Sequence, residues 1–213
     1  MTAPQAGPRR DIIVLGGSAG AIEALLRLLP DLPEDLPAAV LVAIHMSALF
    51  PSRLAELLAL KSNLPVEPVR DGVEIAPGRV YVAVPDLHLS VNSGTLELTH
   101  GPKEHFTRPA IDVLFRSAAR AYGARVAGVL LSGGGSDGTL GLLDIKAAGG
   151  ITIVENPQSA LHRSMLLSAI RSRSVDYIMP LPQIGMALPK LATGEALDDL
   201  LVLRCSVGRD TQG

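Results

Sequence analysis

Short continuous apolar runs alternate with amphipathic segments along most of the chain. The first run, Ile12–Leu15, is followed by one apolar helical face with the spacing i, i+3, i+4, i+7, formed by Ile22, Leu25, Leu26 and Leu29. Four later runs are also predicted to be buried strands: Val40–Ile44, Val126–Leu131, Ile151–Val154 and Tyr177–Met179. Such strands, alternating with helices, indicate a mainly parallel sheet covered on both faces.

One region departs from this alternation. Arg79–Val84, Leu87–Val91 and Leu96–Thr99 have strand character, and Asn92-Ser93-Gly94 is a hairpin turn signal. We therefore expect an antiparallel β-hairpin insertion beside the parallel sheet, and a helix beginning at Pro51. The predicted fold is a doubly wound α/β domain over residues 10–195, a single domain with a disordered tail at 1–9 and a C-terminal tail at 196–213.

Composition narrows the functional class. A net charge of -2 argues against binding to nucleic acid or to an anionic membrane, and no apolar stretch is long enough for membrane insertion. The single cysteine, Cys205, excludes an internal disulfide framework and a cysteine-based metal site. These features predict a cytoplasmic protein.

The first predicted strand runs into a glycine-rich turn, Gly16–Gly20, with the pattern G-x-S-x-G. A dinucleotide-binding turn would need glycine where Ser18 and Ala21 stand, and a phosphate-binding loop would need a lysine that is missing. The pattern fits a serine nucleophile on a strand-to-helix turn. The motif alone favours a simpler role, in which the Ser18 hydroxyl caps the following helix.

Two further polar residues follow predicted strands at the same edge. His45 comes directly after Val40–Ile44, and Asp137 follows Val126–Leu131 through a short glycine-rich loop. Carboxyl ends of parallel strands meet at one edge, so Ser18, His45 and Asp137 are candidates for nucleophile, base and orienting acid. Taken singly, His45 could be a core histidine and Asp137 a cap of the helix near Thr139.

Other histidines compete for the role of base. His162, predicted to lie in a helix after the strand Ile151–Val154, is the alternative base because the order Ser18, Asp137, His162 suits an ordinary α/β-hydrolase. His45 is preferred because its position at a strand end is better defined. No histidines and carboxylates have the spacing of a metal site, so no metal is expected.

With these residues assembled, the chain resembles the catalytic domain of CheB-type protein-glutamate methylesterases over about residues 11–191. The resemblance is carried by GGSAGAIEAL (Gly16–Leu25), AIHMS (Ala43–Ser47), RDGVEIAPGRVYVAVPDLHL (Arg70–Leu89), RPAIDVLFRSAA (Arg108–Ala119), GVLLSGGGSDGTLGL (Gly128–Leu142) and IKAAGGITIVENP (Ile145–Pro157). It implies that Ser18 is the nucleophile, His45 the base and Asp137 the orienting acid. It also implies an oxyanion hole formed by the backbone N–H groups of Ala19 and Gly134, with no cofactor.

The chain departs from the family's usual pattern at several places. The family commonly has Thr-Gly-Gly after the serine, Met at position 134, His-Met-Pro at 45–47, and late Gln-Asp and Met-Pro pairs. The corresponding residues here are Ala19-Gly20-Ala21, Gly134, Ser47, Glu155-Asn156 and Met165-Leu166. The N-terminal receiver domain of full-length relatives is missing from this sequence, so activity is expected to be constitutive or controlled by a separate regulatory protein.

The resemblance implies a serine hydrolase that removes methyl groups from glutamyl methyl esters of a methylated chemoreceptor or related signalling protein, with glutamine deamidation as a second reaction. Two alternatives remain at this point. One is an esterase of the same mechanism acting on a small-molecule ester. The other is a non-enzymatic signalling module of the same fold.

Overall fold

The computed structural model describes residues 7–197, 200, 203 and 204. Cys205 and most of the predicted C-terminal tail lie outside the described residues. Eleven strands are described: Ile12–Gly17 (β1), Ala39–Ile44 (β2), Val66–Pro68 (β3), Val73–Glu74 (β4), Arg79–Val82 (β5), His88–Asn92 (β6), Thr95–Thr99 (β7), Val126–Leu130 (β8), Ile151–Glu155 (β9), Tyr177–Met179 (β10) and Leu203–Arg204 (β11). Six α-helices accompany them: Ala21–Leu28 (α1), Leu54–Ala59 (α2), Ile111–Tyr122 (α3), Thr139–Ala147 (α4), Ser164–Arg171 (α5) and Leu181–Thr193 (α6).

Eight strands form the main sheet, in the order β11-β10-β9-β8-β1-β2-β5-β3. All neighbouring pairs are parallel except β10 and β11, which pair antiparallel. Strand β1 lies between β2, to which α1 connects it, and β8, which the chain reaches only after the second sheet and α3. The chain therefore changes direction between β1 and β8, and open α/β sheets bind ligands at the carboxyl ends of strands at such a point.

Helices cover both faces of this sheet, as the continuous apolar strands predict. Ile13 and Leu15 of β1 face a core shared with α1, α2 and α6. Ile12 and Val14 face the opposite core, shared with α3, α4 and α5. A fully buried leucine such as Leu25 of α1 contributes about 1.5–3 kcal/mol relative to an exposed one. The expected doubly wound α/β architecture is confirmed, and β1 is fixed from both sides.

The second sheet is small and antiparallel, in the order β4-β7-β6. Its hairpin β6–β7 turns at Ser93-Gly94, where both residues have positive φ, so the predicted hairpin insertion is confirmed. The expectation that Arg79–Val84 joins this insertion is wrong. Residues 79–82 form β5, which pairs in parallel with β2 and β3 in the main sheet. Periodicity identifies a strand but does not identify its partner.

Three predicted boundaries differ from the structure. Helix α2 begins at Leu54 rather than at Pro51. At its start the Ser52 hydroxyl accepts a hydrogen bond from the Leu54 N–H. The Gly7 N–H donates to the Gly194 carbonyl, so residue 7 of the predicted 1–9 tail contacts the end of α6. Residues 203 and 204, within the predicted 196–213 tail, form the edge strand β11. None of the described helices combines the length and apolar character needed to cross a bilayer.

Candidate active site

Ser18 follows the last residue of β1, on the turn that leads into α1. Gly20 is the N-cap of this helix, with φ +81°, and no side-chain hydrogen bond caps the helix. A Cβ at Gly20 would lie 2.7 Å from Ser132 Oγ, so the turn requires glycine there both for conformation and for space. The interpretation of Ser18 as a helix cap is therefore wrong. Its half-buried hydroxyl makes no hydrogen bond among the described residues and remains available for chemistry.

His45 lies beside Ser18 because of the strand register. Gly17 of β1 pairs with Ile44 of β2, and the His45 N–H donates to the Gly17 carbonyl at 3.1 Å. Ser18 and His45 are therefore the next residues on two adjacent parallel strands, whose spacing is about 4.8 Å. The two side chains stand at the same edge of the sheet, as the sequence predicts.

Asp137 completes a hydrogen-bonded pair with His45. Its Oδ2 accepts hydrogen bonds from His45 Nε2 and from the Ile111 N–H, both at 2.7 Å. Its Oδ1 accepts from the N–H groups of Asp112 and Gly138, both at 2.9 Å. Two of these N–H groups belong to the first turn of α3, where the helix dipole favours negative charge. This role of α3 could not be predicted from the sequence, since nothing near Asp137 along the chain indicates it.

These contacts keep Asp137 ionised. Burial alone raises the pKa of this carboxyl, but the hydrogen bonds from His45, Ile111 and Asp112 outweigh it and hold the pKa below its ordinary value. An ionised carboxylate only accepts hydrogen bonds, so Nε2 of His45 carries the proton and Nδ1 is the nitrogen free to accept one. Thr107 Oγ1 lies 3.4 Å from the same Nε2.

Two backbone N–H groups near Ser18 are uncommitted. Neither the Ala19 nor the Gly134 N–H donates a hydrogen bond within the described part of the chain. The loop after β8 closely approaches Ser18, because a Cβ built at Gly133 would lie 3.1 Å from Ser18 Cβ. Gly134 itself is exposed and its φ is not positive. The two uncommitted N–H groups therefore belong to the turns that follow β1 and β8, the adjacent strands between which the chain changes direction.

Ser132 ties these two turns together. Its carbonyl accepts from the Ser18 N–H at 3.0 Å, and its hydroxyl donates to the Ala19 carbonyl at 2.9 Å. The same hydroxyl accepts from the His162 N–H at 2.8 Å. The Ser132 N–H donates to Glu155 Oε2 at 2.9 Å, at the end of β9. A buried carboxyl thus supports the residue that positions the serine turn.

Glu155, which stands where the family commonly has glutamine, is 3% exposed. Burial raises its pKa above the ordinary value, against smaller opposing effects of the Ser132 N–H and Arg27. The folded protein therefore binds the proton of the Glu155 carboxyl more tightly than the unfolded chain does. The protonated carboxyl contributes stability below pH 4.5, and this contribution is lost as pH rises through the folded pKa.

We expect Glu155→Gln to raise the free energy of unfolding at pH 7 by about 1 kcal/mol, within the usual range for stabilising substitutions. The amide oxygen still accepts from Ser132, and no charge is buried. Urea unfolding at pH 4 and pH 7 measures the effect, which should shrink at the lower pH. A variant less stable than wild type at pH 7, or a difference independent of pH, contradicts this explanation.

His162, the alternative base, lies outside this constellation. It precedes α5 in a loop, which corrects the prediction that it lies in a helix after β9. The backbone of His162 contacts the loop after β8. Its N–H donates to the Ser132 hydroxyl, and its carbonyl accepts from the Gly133 N–H. Its imidazole is exposed and makes no hydrogen bond to Asp137 in the described structure. His45, not His162, is the histidine paired with the candidate acid.

A second histidine lies near Asp137 that sequence reasoning did not select. His105 Nε2 donates to Asp112 Oδ2 at 2.8 Å and lies 3.9 Å from Asp137 Oδ1. His105, Asp112 and Asp137 have ligand atoms within 4.8 Å of one another, so their geometry resembles a metal-binding cluster. Within it, however, N–H donors already occupy both carboxylates, including Gly141 N–H on Asp112 Oδ1 at 2.6 Å. The cluster is a hydrogen-bonded support behind Asp137.

The pKa of Asp112 is shifted in the opposite direction from that of Asp137, although both carboxyl groups are buried. Burial is the largest influence and raises the pKa of Asp112, and the neighbouring charge of Asp137 adds to the increase. The hydrogen bonds from Gly141 and His105 act in the opposite direction. Of the two adjacent carboxyls, Asp137 is therefore the stronger acid, and it is the one hydrogen-bonded to His45.

Comparison with known proteins gives a consistent result. A family described as CheB methylesterase matches residues 13–188. A protein-glutamate methylesterase/protein-glutamine glutaminase of Anaeromyxobacter dehalogenans is 38% identical over 89% of this chain, but this chain covers only 55% of that protein. A putative protein of the same name from Leptospira interrogans is 37% identical, with 82% of this chain and 91% of that protein covered.

The structural comparison agrees with the sequence comparisons. The crystal structure of the Thermotoga maritima CheB methylesterase catalytic domain matches with a TM-score of 0.81 and 34% identity. The match covers 86% of this chain and the whole of that domain. The match to the family along most of the chain, together with the fold it shares with that domain, shows that this chain belongs to the CheB methylesterase family.

Proposed function

We propose that this chain is a serine hydrolase that cleaves glutamyl methyl esters on a methylated chemoreceptor-type protein and releases methanol. The proposal rests above all on the His45–Asp137 pair at 2.7 Å, beside a serine whose hydroxyl is uncommitted. The family membership and the printed names of the relatives support the substrate class. This chain spans about half of the length of the Anaeromyxobacter relative.

In the proposed acylation, Nδ1 of His45 takes the proton of Ser18 Oγ as this oxygen attacks the ester carbonyl. Asp137 holds the ring through Nε2 and stabilises the imidazolium that forms. The N–H groups of Ala19 and Gly134 stabilise the tetrahedral oxyanion, a contribution worth about 10²–10³ in kcat per donor in a comparable hydrolase. The imidazolium then protonates the departing methoxide, and methanol leaves.

Deacylation repeats this chemistry with water. His45 removes a proton from the attacking water, and collapse of the second tetrahedral intermediate returns the proton to Ser18 and frees a glutamate carboxylate. The same cycle with ammonia as the leaving group would deamidate glutamine, in line with the glutaminase part of the relatives' names. No step requires a group from outside the protein other than water.

The proposed partner is therefore a methylated receptor or a related signalling protein. A separate regulatory protein is proposed as a second partner. The low cysteine content, with Cys205 alone, supports a cytoplasmic setting for the reaction.

Methanol release from the host's own methylated receptors tests the proposal. We expect the wild-type chain to release methanol in proportion to the glutamate formed, whereas a p-nitrophenyl ester assayed in parallel reports the serine chemistry alone. Hydrolysis of the small ester without the receptor ester would favour the small-molecule esterase. An inert Ser18 toward a fluorophosphonate probe would favour a non-enzymatic module.

Gly134→Met restores the residue that the family usually carries, and we expect it to raise kcat by about two- to fivefold. Replacing a glycine at a compatible position removes about 0.4–1 kcal/mol of backbone freedom, which helps to preorganise the Gly134 N–H. The site allows the change, because φ is not positive and a Cβ would meet only Ser164 Oγ, at 3.9 Å.

Steady-state kinetics on the methylated substrate measure the effect of Gly134→Met. Gly135→Met is the matched control, because Gly135 has φ +84° and a side chain there is strained. A kcat for Gly134→Met equal to or below that of wild type contradicts the assigned role of this loop.

A further inference from the structure

The phenylalanines of this protein are distributed in an unusual way. The chain has three, and only Phe115 lies in the core. Phe50 is 70% exposed and Phe106 is 96% exposed. Phe50 lies in the segment that follows His45, and Phe106 is next to Thr107, whose hydroxyl lies 3.4 Å from His45 Nε2. Exposed aromatic side chains are typical of binding surfaces, and both of these are in segments next to the candidate base.

The turn that presents Phe106 is strained. His105 and Phe106 have φ values of +51° and +62°, and the Thr107 N–H donates to the Glu104 carbonyl at 2.9 Å. This geometry resembles a type I′ turn, whose two central positions favour asparagine and glycine. A bulky side chain at such φ values is costly, and strain of this kind persists only where surrounding contacts enforce it.

Contacts on both sides enforce the turn. His105 is anchored by its hydrogen bond to the buried Asp112 carboxyl at 2.8 Å. Glu104 is paired with Arg116 of α3 at 2.7 Å, and the Thr107 hydroxyl donates to the Glu104 carbonyl at 3.0 Å. Every side chain of the turn except that of Phe106 is therefore engaged by the protein. The one free side chain is the aromatic ring directed into solvent.

We propose that Phe106, together with Phe50, forms an aromatic rim that binds apolar side chains of the protein substrate next to the esterified glutamate. The proposal rests on the proposed function, since the ester is then carried on a polypeptide and must reach Ser18 beside His45. A small ester enters the site without covering the rim. A polypeptide substrate covers it, and an aromatic anchor there binds with little loss of side-chain freedom.

The proposal predicts that Phe106→Ala separates the two kinds of substrate. For the methylated receptor, kcat/KM should fall by about tenfold or more, mainly through KM, as expected for truncation of an aromatic anchor. For a p-nitrophenyl ester, kcat/KM should stay within about twofold of wild type, since Phe106 does not touch the reacting atoms. Met186→Ala is the matched control. Met186 is 56% exposed in α6 and follows Gly185, which packs against Asp31 beyond the end of α1 that is remote from the serine turn, so neither substrate should be affected.

Phe106→Gly adds a readout that a merely structural residue would not give. Glycine tolerates positive φ, so this variant should unfold at a higher temperature than Phe106→Ala and at no lower temperature than wild type. It should nevertheless lose as much activity on the methylated receptor as Phe106→Ala does. Greater stability combined with weaker turnover of the protein substrate would show that the strained backbone at Phe106 serves to present the ring for binding.

The outcomes are distinguishable. Equal losses on both substrates would mean that Phe106 acts through His45, and no loss on either would mean that the ring binds nothing, so either result overturns the aromatic rim. If wild type hydrolyses the methylated receptor and Phe106→Ala does so equally well, only this proposal falls. If wild type itself leaves the methylated receptor untouched, the proposed function fails, and the rim proposal with it.

Discussion

Ser18→Ala is expected to lower kcat on the methylated substrate by at least about 10⁴-fold, while the fold remains intact. Loss of the nucleophile in serine hydrolases leaves only the catalysis that the oxyanion hole and binding provide. The fold should tolerate the change because the Ser18 hydroxyl makes no hydrogen bond among the described residues, and the helix α1 is capped at Gly20 without it. We expect the free energy of unfolding to change by less than about 0.5 kcal/mol.

Methanol release and thermal unfolding of the same preparation test this prediction together. Ser136→Ala is the matched control, because Ser136 is an exposed serine in the loop between Gly135 and Asp137. It should retain wild-type turnover. Substantial turnover by Ser18→Ala, with Ser136→Ala or another serine variant inactive, would assign the nucleophile elsewhere.

His45→Gln should be nearly as damaging, with a fall in kcat of about 10⁴-fold or more. Glutamine cannot take the serine proton, and it leaves Asp137 as a buried carboxylate without its imidazole partner. His162→Gln should change kcat by less than about tenfold. Its imidazole is exposed, and the contacts of His162 with Ser132 and Gly133 are made by the backbone, which the substitution keeps.

The ranking of these two histidine variants is the informative result, because both change the same functional group at the same edge of the sheet. Steady-state kinetics on a p-nitrophenyl ester are sufficient, since the base serves any ester. An inactive His162→Gln with an active His45→Gln would transfer the role of base to His162. It would also leave the 2.7 Å contact of His45 with Asp137 without a catalytic purpose.

Much of the architecture could be predicted because it depends on local patterns. Ile12–Leu15 and Val40–Ile44 are apolar throughout, as strands buried on both faces require. His45 follows the second run directly, and Ser18 follows the first after two glycines. Since parallel strands share their carboxyl edge, Ser18 and His45 could be placed together without coordinates. Their proximity in the structure follows from the pairing of Gly17 with Ile44.

The features that sequence reasoning missed are set by contacts between distant segments. Strand β5 pairs with β2 and β3, and nothing in the residues of β5 itself indicates these two partners. Asp137 is held by N–H groups of Ile111 and Asp112 at the start of α3, about one helix and one strand earlier in the chain. The position of His105 depends on a turn in which two residues have positive φ. The residues there are His and Phe, which do not signal such a turn in the sequence.

The most direct test of Ser18 as the nucleophile is to trap the covalent intermediate on it. Acid quenching of a reaction with a methylated receptor peptide, followed by tryptic digestion, places Ser18 in the peptide Asp11–Arg27, where it is the only serine. We expect an adduct there with the mass of the substrate peptide less methanol, absent from Ser18→Ala. An adduct on a different tryptic peptide, while methanol is released at the same rate, would contradict it.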